Sequence, residues 1–287
     1  DKLVLIDGNS LLNRAFYAMS VFTTKDGLPT NGVFGFVKLL LKIIDDEKPK
    51  YLAVAFDLHA PTFRHKMYAD YKGTRKPMPE ELVVQVPVLK DLLRAMKVCI
   101  VEKEGYEADD LIGTLSKRFG SVESLIYTGD RDSYQLIGDH VNVCFTKRGV
   151  SDLVRLTKDN FLEHEGIEPW QVVELKALMG DSSDNIPGVR GVGPKSALSL
   201  LQSYGDLDGV YSHLDECSAS LRKKLTDYEE DARLSRTLAT IDRDVPLDLS
   251  LEDCTLRIPF PEEARKAFAN LEFRSLVGSD YFSKEPV

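Results

Sequence analysis

The chain has 287 residues and carries 46 acidic against 37 basic side chains, a formal net charge of −9. Its apolar fraction of 43% and charged fraction of 29% are those of a soluble globular protein with a sizeable core, and they argue against disorder. No run approaches the ~20 apolar residues of a membrane helix, no basic stretch leads into an apolar one as a secretory signal would, and the acidic balance excludes a surface that coats polyanions throughout.

Leu3-Val4-Leu5-Ile6 opens the chain as a short apolar strand ending at Asp7. Val33, Phe36, Val37, Leu40, Leu41 and Ile44 repeat with helical spacing. Leu52 to Phe56 is a second apolar run, and it ends at Asp57. A helical stretch from about Glu80 to Met96 leads into a strand at Val98 to Val101, and Ala108, Leu111, Ile112 and Leu115 mark a further amphipathic helix. Leu125-Ile126-Tyr127 is the next strand, with Asp130 three residues beyond it. Short, two-sided apolar strands alternating with helices predict an α/β fold with a mostly parallel central sheet flanked by helices. From about Thr157 the pattern is mainly helical, punctuated by Gly180, Pro187, Gly188, Gly191, Gly193 and Pro194. The expected division is an α/β core over residues 1–160, a helical extension over 161–280, and a polar tail or start of a linker over 281–287. The missing initiator Met and the polar end point to a fragment of a longer protein. Trp170 reads as a core anchor.

Cys99, Cys144, Cys217 and Cys254 are widely spaced, with no CxxC. Neither a zinc knuckle nor a disulfide framework is expected, and four buried or inert thiols in a reducing cytosol is the simplest reading. The five histidines form no HxxxH or HExxH pair, so zinc hydrolase chemistry has no ligand set, and no GxSxG, GxGxxG or GxxxxGK[ST] loop is present.

In open parallel sheets ligands bind beyond the carboxyl ends of the strands. Asp7, Asp57 and Asp130 each stand at or just past such an end, and Asp132 follows. Glu107-Ala108-Asp109-Asp110 opens a helix, with Glu107 and Asp110 on one face. Gly180-Asp181-Ser182-Ser183-Asp184 carries another i, i+3 pair. Any one of these acids is well explained as a cap or turn residue. Together they would repel one another and raise their own pKa values unless cations neutralise them. All-oxygen ligands point to hard cations, Mg²⁺ or Mn²⁺, and two such ions can activate a water and stabilise the leaving oxygen of a phosphodiester.

The basic residues are complementary. Arg64, His65, Lys66, Lys72, Arg75 and Lys76 are interleaved with Phe63, Tyr68 and Tyr71. Such a segment suits a nucleic-acid strand, with charge for phosphate and rings for bases, although a solvated helical face gives the same pattern. Arg14 lies shortly after Asp7. Gly191-Val192-Gly193-Pro194 is a tight turn opening a helix, with Lys195 beside it, the hairpin of a helix-hairpin-helix at about 186–204. Its exposed backbone N–H groups form a phosphate seat.

Leu5-Ile6-Asp7-Gly8-Asn9-Ser10, Ala55-Phe56-Asp57, Tyr71-Lys72-Gly73-Thr74-Arg75, Glu107-Ala108-Asp109-Asp110, Gly129-Asp130-Arg131-Asp132 and Met179 to Gly188 resemble the 5′-nuclease domain of bacterial DNA polymerases I, in the flap endonuclease superfamily. The similarity runs in order from Lys2 to about Leu276. It implies a PIN-like nuclease core with a helical arch over about 62–90 and a C-terminal helix-hairpin-helix extension. It implies an enzyme that removes 5′ flaps and RNA primers in replication and repair, attached to polymerase domains, monomeric and cytoplasmic.

Carried over residue by residue, the first of two metal sites takes Asp7, Asp57, Glu107 and Asp109, with Asp110 close by. The second takes Asp130, Asp132 and Asp184, with Asp181 near. Of the three candidate catalytic residues, Lys72 and Arg75 match arch residues that reach the scissile phosphate, and Arg14 matches a phosphate-contacting arginine. Arg64, Lys66, Tyr71 and Lys76 match the arch, and Gly191, Gly193 and Lys195 the hairpin, which in relatives often holds K⁺. Asn13 stands where relatives commonly carry a stacking tyrosine, leaving Phe16 or Tyr17 to compensate.

Setting the nine candidate metal acids aside leaves 37 acids against 37 bases. The acidic excess can therefore sit in one cluster, which leaves room for local DNA binding. Two rivals are a non-catalytic branched-DNA-binding module, which would lack the carboxylates, and an aspartyl phosphatase, which would leave the hairpin unexplained.

Overall fold

The computed structural model describes residues 1–278 and 280–282. Among them, six strands form one sheet in the order β3-β2-β1-β4-β5-β6: β1 (Lys2–Asp7), β2 (Tyr51–Ala55), β3 (Cys99–Val101), β4 (Glu123–Thr128), β5 (Val141–Arg148) and β6 (Asp152–Leu156). β1 to β5 pair in parallel, and β6 runs antiparallel to β5. The last two strands were not expected, although Val141, Val143 and Phe145 alternate as a half-buried strand should.

Both faces of the sheet are covered, which is why its strands read as unbroken apolar runs. Leu3, Leu5, Ala53, Ile126 and Val143 join one apolar cluster, while Val4, Ile6, Leu52, Val54, Leu125 and Cys144 join the other. Strand order reverses between β1 and β4, so a crevice opens at the carboxyl ends of those two strands.

The helices of the core are α1 (Gly8–Ala18), α2 (Asn31–Glu47), α3 (Phe63–Met67), α4 (Glu80–Val83), α5 (Gln85–Ala95) and α6 (Ala108–Arg118). α1 starts on Asp7, whose Oδ1 accepts from the Ser10 N–H at 3.0 Å. Gly8 permits this close entry, because a Cβ there would stand 2.5 Å from the Phe56 ring. The helix expected from Glu80 to Met96 is broken in two at Val84. The arch is helical only at its flanks: from Tyr68 to Pro79 the chain turns and extends instead, held down by side-chain ties to the site.

The second half contains α7 (Lys158–Glu165), α8 (Val172–Met179), α9 (Pro194–Tyr204), α10 (Leu207–Ser212), α11 (Ala219–Asp227), α12 (Glu229–Ala239), α13 (Glu262–Asn270) and α14 (Arg274–Val277). Part of the segment expected as the extension over 161–280 packs against the core. Val245 donates to Thr114 Oγ1, Leu256 donates to the Lys50 carbonyl, and Phe260, Phe268 and Phe273 pack into the cluster beneath β1. The chain thus returns to the core after α12. Tyr281 and Phe282, assigned to a tail, close that cluster, with Phe282 buried. Residues 283–287 of that tail lie outside the described residues.

Trp170, expected in the core, is 54% exposed on a 3₁₀ turn. All four cysteines are reduced; Cys144 and Cys254 are buried, whereas Cys99 and Cys217 are partly exposed. Among the described residues no helix is long and apolar enough to cross a membrane.

Candidate metal centre

The carboxyl ends of β1, β2 and β4 deliver Asp7, Asp57 and Asp130 to one cavity of about 1200 Å³, which Glu107 and Asp109 also line. Asp7 is 6% exposed and is fixed at both oxygens: Oδ1 by Ser10 N and Oδ2 by the Thr128 hydroxyl, at 3.1 Å. Asp57 Oδ1 accepts from Ala108 N at 2.7 Å, and its own N–H donates to Asn9 Oδ1 at 2.8 Å. Thr128 Oγ1 also accepts from Asp130 N at 3.0 Å. Each acid is therefore placed by its backbone neighbours before any ion arrives.

The electrostatic cost is visible. Burial, the Asp57 charge and the Asp130 charge push the Asp7 carboxyl up to about 7. Asp109 is raised by burial and by Asp130, Asp7 and Asp57. Burial raises Asp57 and Asp130 as well. Such mutual elevation marks a site built for positive charge.

Two carboxylate triplets have oxygens within 4.8 Å of one another: Asp109, Asp130 and Asp132, then Asp132, Asp181 and Asp184. Hard divalent cations take such all-oxygen sets, so the donor chemistry fits. The grouping differs from expectation, since Asp130 joins Asp109 and Asp132 is common to both sets. Asp181 and Asp184 are presented by a loop closed by Gly180 and Gly188. Both glycines have positive φ (71° and 60°), and a Cβ on Gly188 would meet Gly180 N at 2.2 Å.

Three residues sit differently from expectation. Asp110 is fully buried and binds the Arg64 guanidinium in a fork, at 2.8 Å to each oxygen, so it supports the site rather than facing an ion. Arg64, expected on the DNA-facing arch, is 3% exposed; it also donates to Glu107 and to the carbonyls of Leu238 and Thr240. Tyr71, expected to stack on bases, is likewise buried, with its hydroxyl donating to Glu107 at 3.1 Å. These two residues tie the arch to α6. Lys66 and Lys76 are exposed.

Lys72 and Arg75 do reach the cavity. Lys72 pairs with Glu107, and Arg75 with Asp184 at 2.5 Å. Burial would raise Glu107, but Lys72 and Arg64 outweigh it and hold the carboxyl low. Lys72 takes a left-handed φ of 56° while its N–H donates to the Asp184 carbonyl at 2.8 Å, so its backbone and side chain tie the acidic segments of Asp184 and Glu107 together. Arg14 donates to the carbonyls of Gly129 and Lys147, both at 3.1 Å, at the cavity rim. Phe16 is buried, whereas Tyr17 is 65% exposed and lines the cavity.

Lys176 was missed. It is buried, pairs with Asp132, and donates to Asp181 at 2.6 Å. The signal was a lysine among the apolar residues of α8, one turn before the acidic loop. Thr128 was missed because nothing in a strand-terminal threonine announces a ligand-orienting role.

The hairpin lies apart from the cavity. Gly191 has φ 88°, Gly193 is the N-cap of α9 with Pro194 following, and Lys195 is exposed. Lys224 Nζ donates to the Gly191 carbonyl at 3.3 Å.

Residues 2–166 match the family model described as the 5′-3′ exonuclease N-terminal resolvase-like domain, and residues 167–262 that of its C-terminal SAM fold. The DNA polymerase I of Caldicellulosiruptor bescii is 44% identical over 96% of this chain and 33% of its own length, and that of Bacillus subtilis 40% over 96% and 32%. The chain spans about a third of the length of the curated relatives it matches. In fold it is similar to a T5 5′-exonuclease with divalent metal ions (zinc) bound (TM-score 0.69, 22% identity, 84% of this chain and 90% of that one). It is also similar to the catalytic core of Rad2 in complex with DNA substrate (TM-score 0.59, 15% identity, 94% and 88%). Matched along both of its domains, the chain belongs to the 5′-3′ exonuclease family.

Proposed function

We propose that the chain is a divalent-metal-dependent, structure-specific 5′ nuclease. It hydrolyses phosphodiesters at 5′ flaps, nicks and 5′ ends of duplex DNA, and at RNA primers, in replication and repair. It does so as a monomeric, cytoplasmic part of a DNA polymerase I. The observation that carries this reading is the convergence of Asp7, Asp57, Glu107, Asp109 and Asp130 with Lys72 and Arg75 around one cavity at the switch point of the sheet.

Asp109, Asp130, Asp132, Asp181 and Asp184 are the residues that would hold two Mg²⁺ or Mn²⁺ ions, with Asp7, Asp57 and Glu107 lining the same centre. Bound there, the ions supply charge neutralisation and a water acidic enough to attack at neutral pH. The chain's own residues do the positioning. Lys72 and Arg75 turn from Glu107 and Asp184 toward the scissile phosphate and stabilise its developing charge. Arg14, braced by two carbonyls, holds a neighbouring phosphate. The attacked phosphorus loses its bond to the 3′ oxygen, leaving a 3′ hydroxyl and a 5′ phosphate.

In the division proposed, the core of residues 1–160 cuts with Asp181 and Asp184 of the extension completing its carboxylates, while the rest of the extension holds the duplex through Gly191, Gly193 and Lys195, with Lys66 and Lys76 following the strand. K⁺ at the hairpin rests on the family resemblance. Lys224 on the Gly191 carbonyl supports it only in that one oxygen of this turn already accepts a cation. A labelled 5′-flap duplex should be cut in Mg²⁺ and left intact in EDTA. Equal cleavage in EDTA overturns metal dependence, and tight binding without cleavage in Mg²⁺ would favour a branched-DNA-binding module.

A further inference from the structure

We propose that Cys99 and Cys254 are a paired modification site that closes into a reversible disulfide when the chain meets a low-molecular-weight disulfide. The two sulfurs lie 3.9 Å apart although the residues are 155 positions apart in sequence. Both cysteines are held against the same strand. Cys99 opens β3 opposite Ala53 of β2, and Cys254 precedes Thr255, which bridges Tyr51 of β2. Leu256 then donates to the Lys50 carbonyl at 2.9 Å. The backbones are thus fixed on both sides, and forming the bond asks the sulfurs to close from 3.9 Å to the ~2.05 Å of an S–S bond.

The two thiols divide the work of exchange by their surroundings. Cys99 is partly exposed on the edge strand, while Cys254 is 0% exposed. Cys254 donates a weak S–H bond to Cys99, and that bond lowers the Cys99 thiol. The Cys99 thiolate attacks one sulfur of oxidised glutathione, breaking its S–S bond and releasing one glutathione thiolate. Cys254 gives up its proton to that thiolate and attacks Cys99 Sγ, releasing the second glutathione. Two protein thiols and one glutathione disulfide become one protein disulfide and two glutathione thiols, with no other oxidant. The bond would staple the edge of the sheet to the strap that returns from α12, closing a very long loop.

The 287-residue chain is incubated with oxidised glutathione, and its intact mass, linked peptides and thermal midpoint are measured. The expected result is loss of two hydrogens, a linked pair of Cys99 and Cys254 peptides, and an upward midpoint shift of about 5–10 °C that dithiothreitol reverses. Cys99→Ser should fold, show no linked pair and show no shift, so the result does not depend on how the buried Cys254 tolerates substitution. A stable glutathione adduct on Cys99, or both thiols still open to alkylation after unfolding, overturns the proposal.

Discussion

At the sheet edge, carboxylates as far apart in sequence as Asp7 and Asp184 are gathered by strand ends and loops and held by backbone donors. At the hairpin, the exposed residues Arg190, Gly191, Gly193 and Lys195 lie within a few positions of one another on a local turn. The first region stores repulsion, with Asp7 and Asp109 pushed up by burial and by neighbouring carboxylates, Asp57 and Asp130 among them. The second stores none; a glycine at φ 88° and a proline at the start of α9 suffice. Chemistry needs charge concentrated where water is scarce, whereas gripping a duplex of any sequence needs only a shape that presents donors to phosphate. The two regions should therefore fail in different ways when damaged.

The largest effect expected is on folding, at the joint that supports the carboxylate edge. Arg64→Leu leaves Asp110 buried without its partner and should cost about 3–5 kcal/mol, read as a fall in the denaturation midpoint. Lys66→Ala, two residues away and exposed, should change stability by less than about 0.5 kcal/mol. Equal effects would remove the distinction between buried tie and exposed arch. Next comes Lys72→Ala, for which turnover on a flap duplex should drop about 10²-fold with little change in binding. A parallel loss of both would place Lys72 on the DNA-gripping side of the comparison.

The burial of Asp7, together with the Asp57 charge, predicts a pH effect of opposite sign to ordinary acid denaturation. The folded Asp7 carboxyl titrates near 7 against an ordinary 3.8, so between those values the folded chain holds a proton that the unfolded chain has lost. Asp7 therefore favours folding below about pH 4, and that contribution is lost as pH rises through 7. In EDTA, Asp7→Asn should be more stable than the parent at pH 8, by on the order of 2 kcal/mol, and the difference should shrink toward pH 4. A pH-independent difference would show that Asp7 carries no such strain. The smallest effect belongs to the hairpin: Lys195→Ala should weaken duplex binding a few-fold and lower the salt slope by about 1, leaving turnover at saturation unchanged.

The sequence reveals these regions unequally, for a physical reason. Strand-end acids announce themselves because two-sided burial makes the preceding run apolar, so Asp7, Asp57 and Asp130 were legible one by one. The hairpin was legible because its geometry is local. The cations were not: Arg64 and Lys66 are near neighbours in one basic run, yet one is buried on Asp110 and the other is solvated. Which basic residue points inward depends on α6 and α12, elements far along the chain, and Lys176 was overlooked for the same reason. β6 escaped because its edge position leaves polar residues among the apolar ones, and β5 because Asn142, Thr146, Lys147 and Arg148 interrupt its apolar run.

The central claim is that the carboxylate edge performs the chemistry while binding is carried elsewhere. It is tested most directly by measuring cleavage and affinity for one 5′-flap duplex on the same preparation of Asp130→Ala. Cleavage in Mg²⁺ should fall by about 10³-fold or more while the dissociation constant stays within a few-fold of the parent. Retained cleavage, or cleavage and affinity lost in step in a folded variant, would contradict the account.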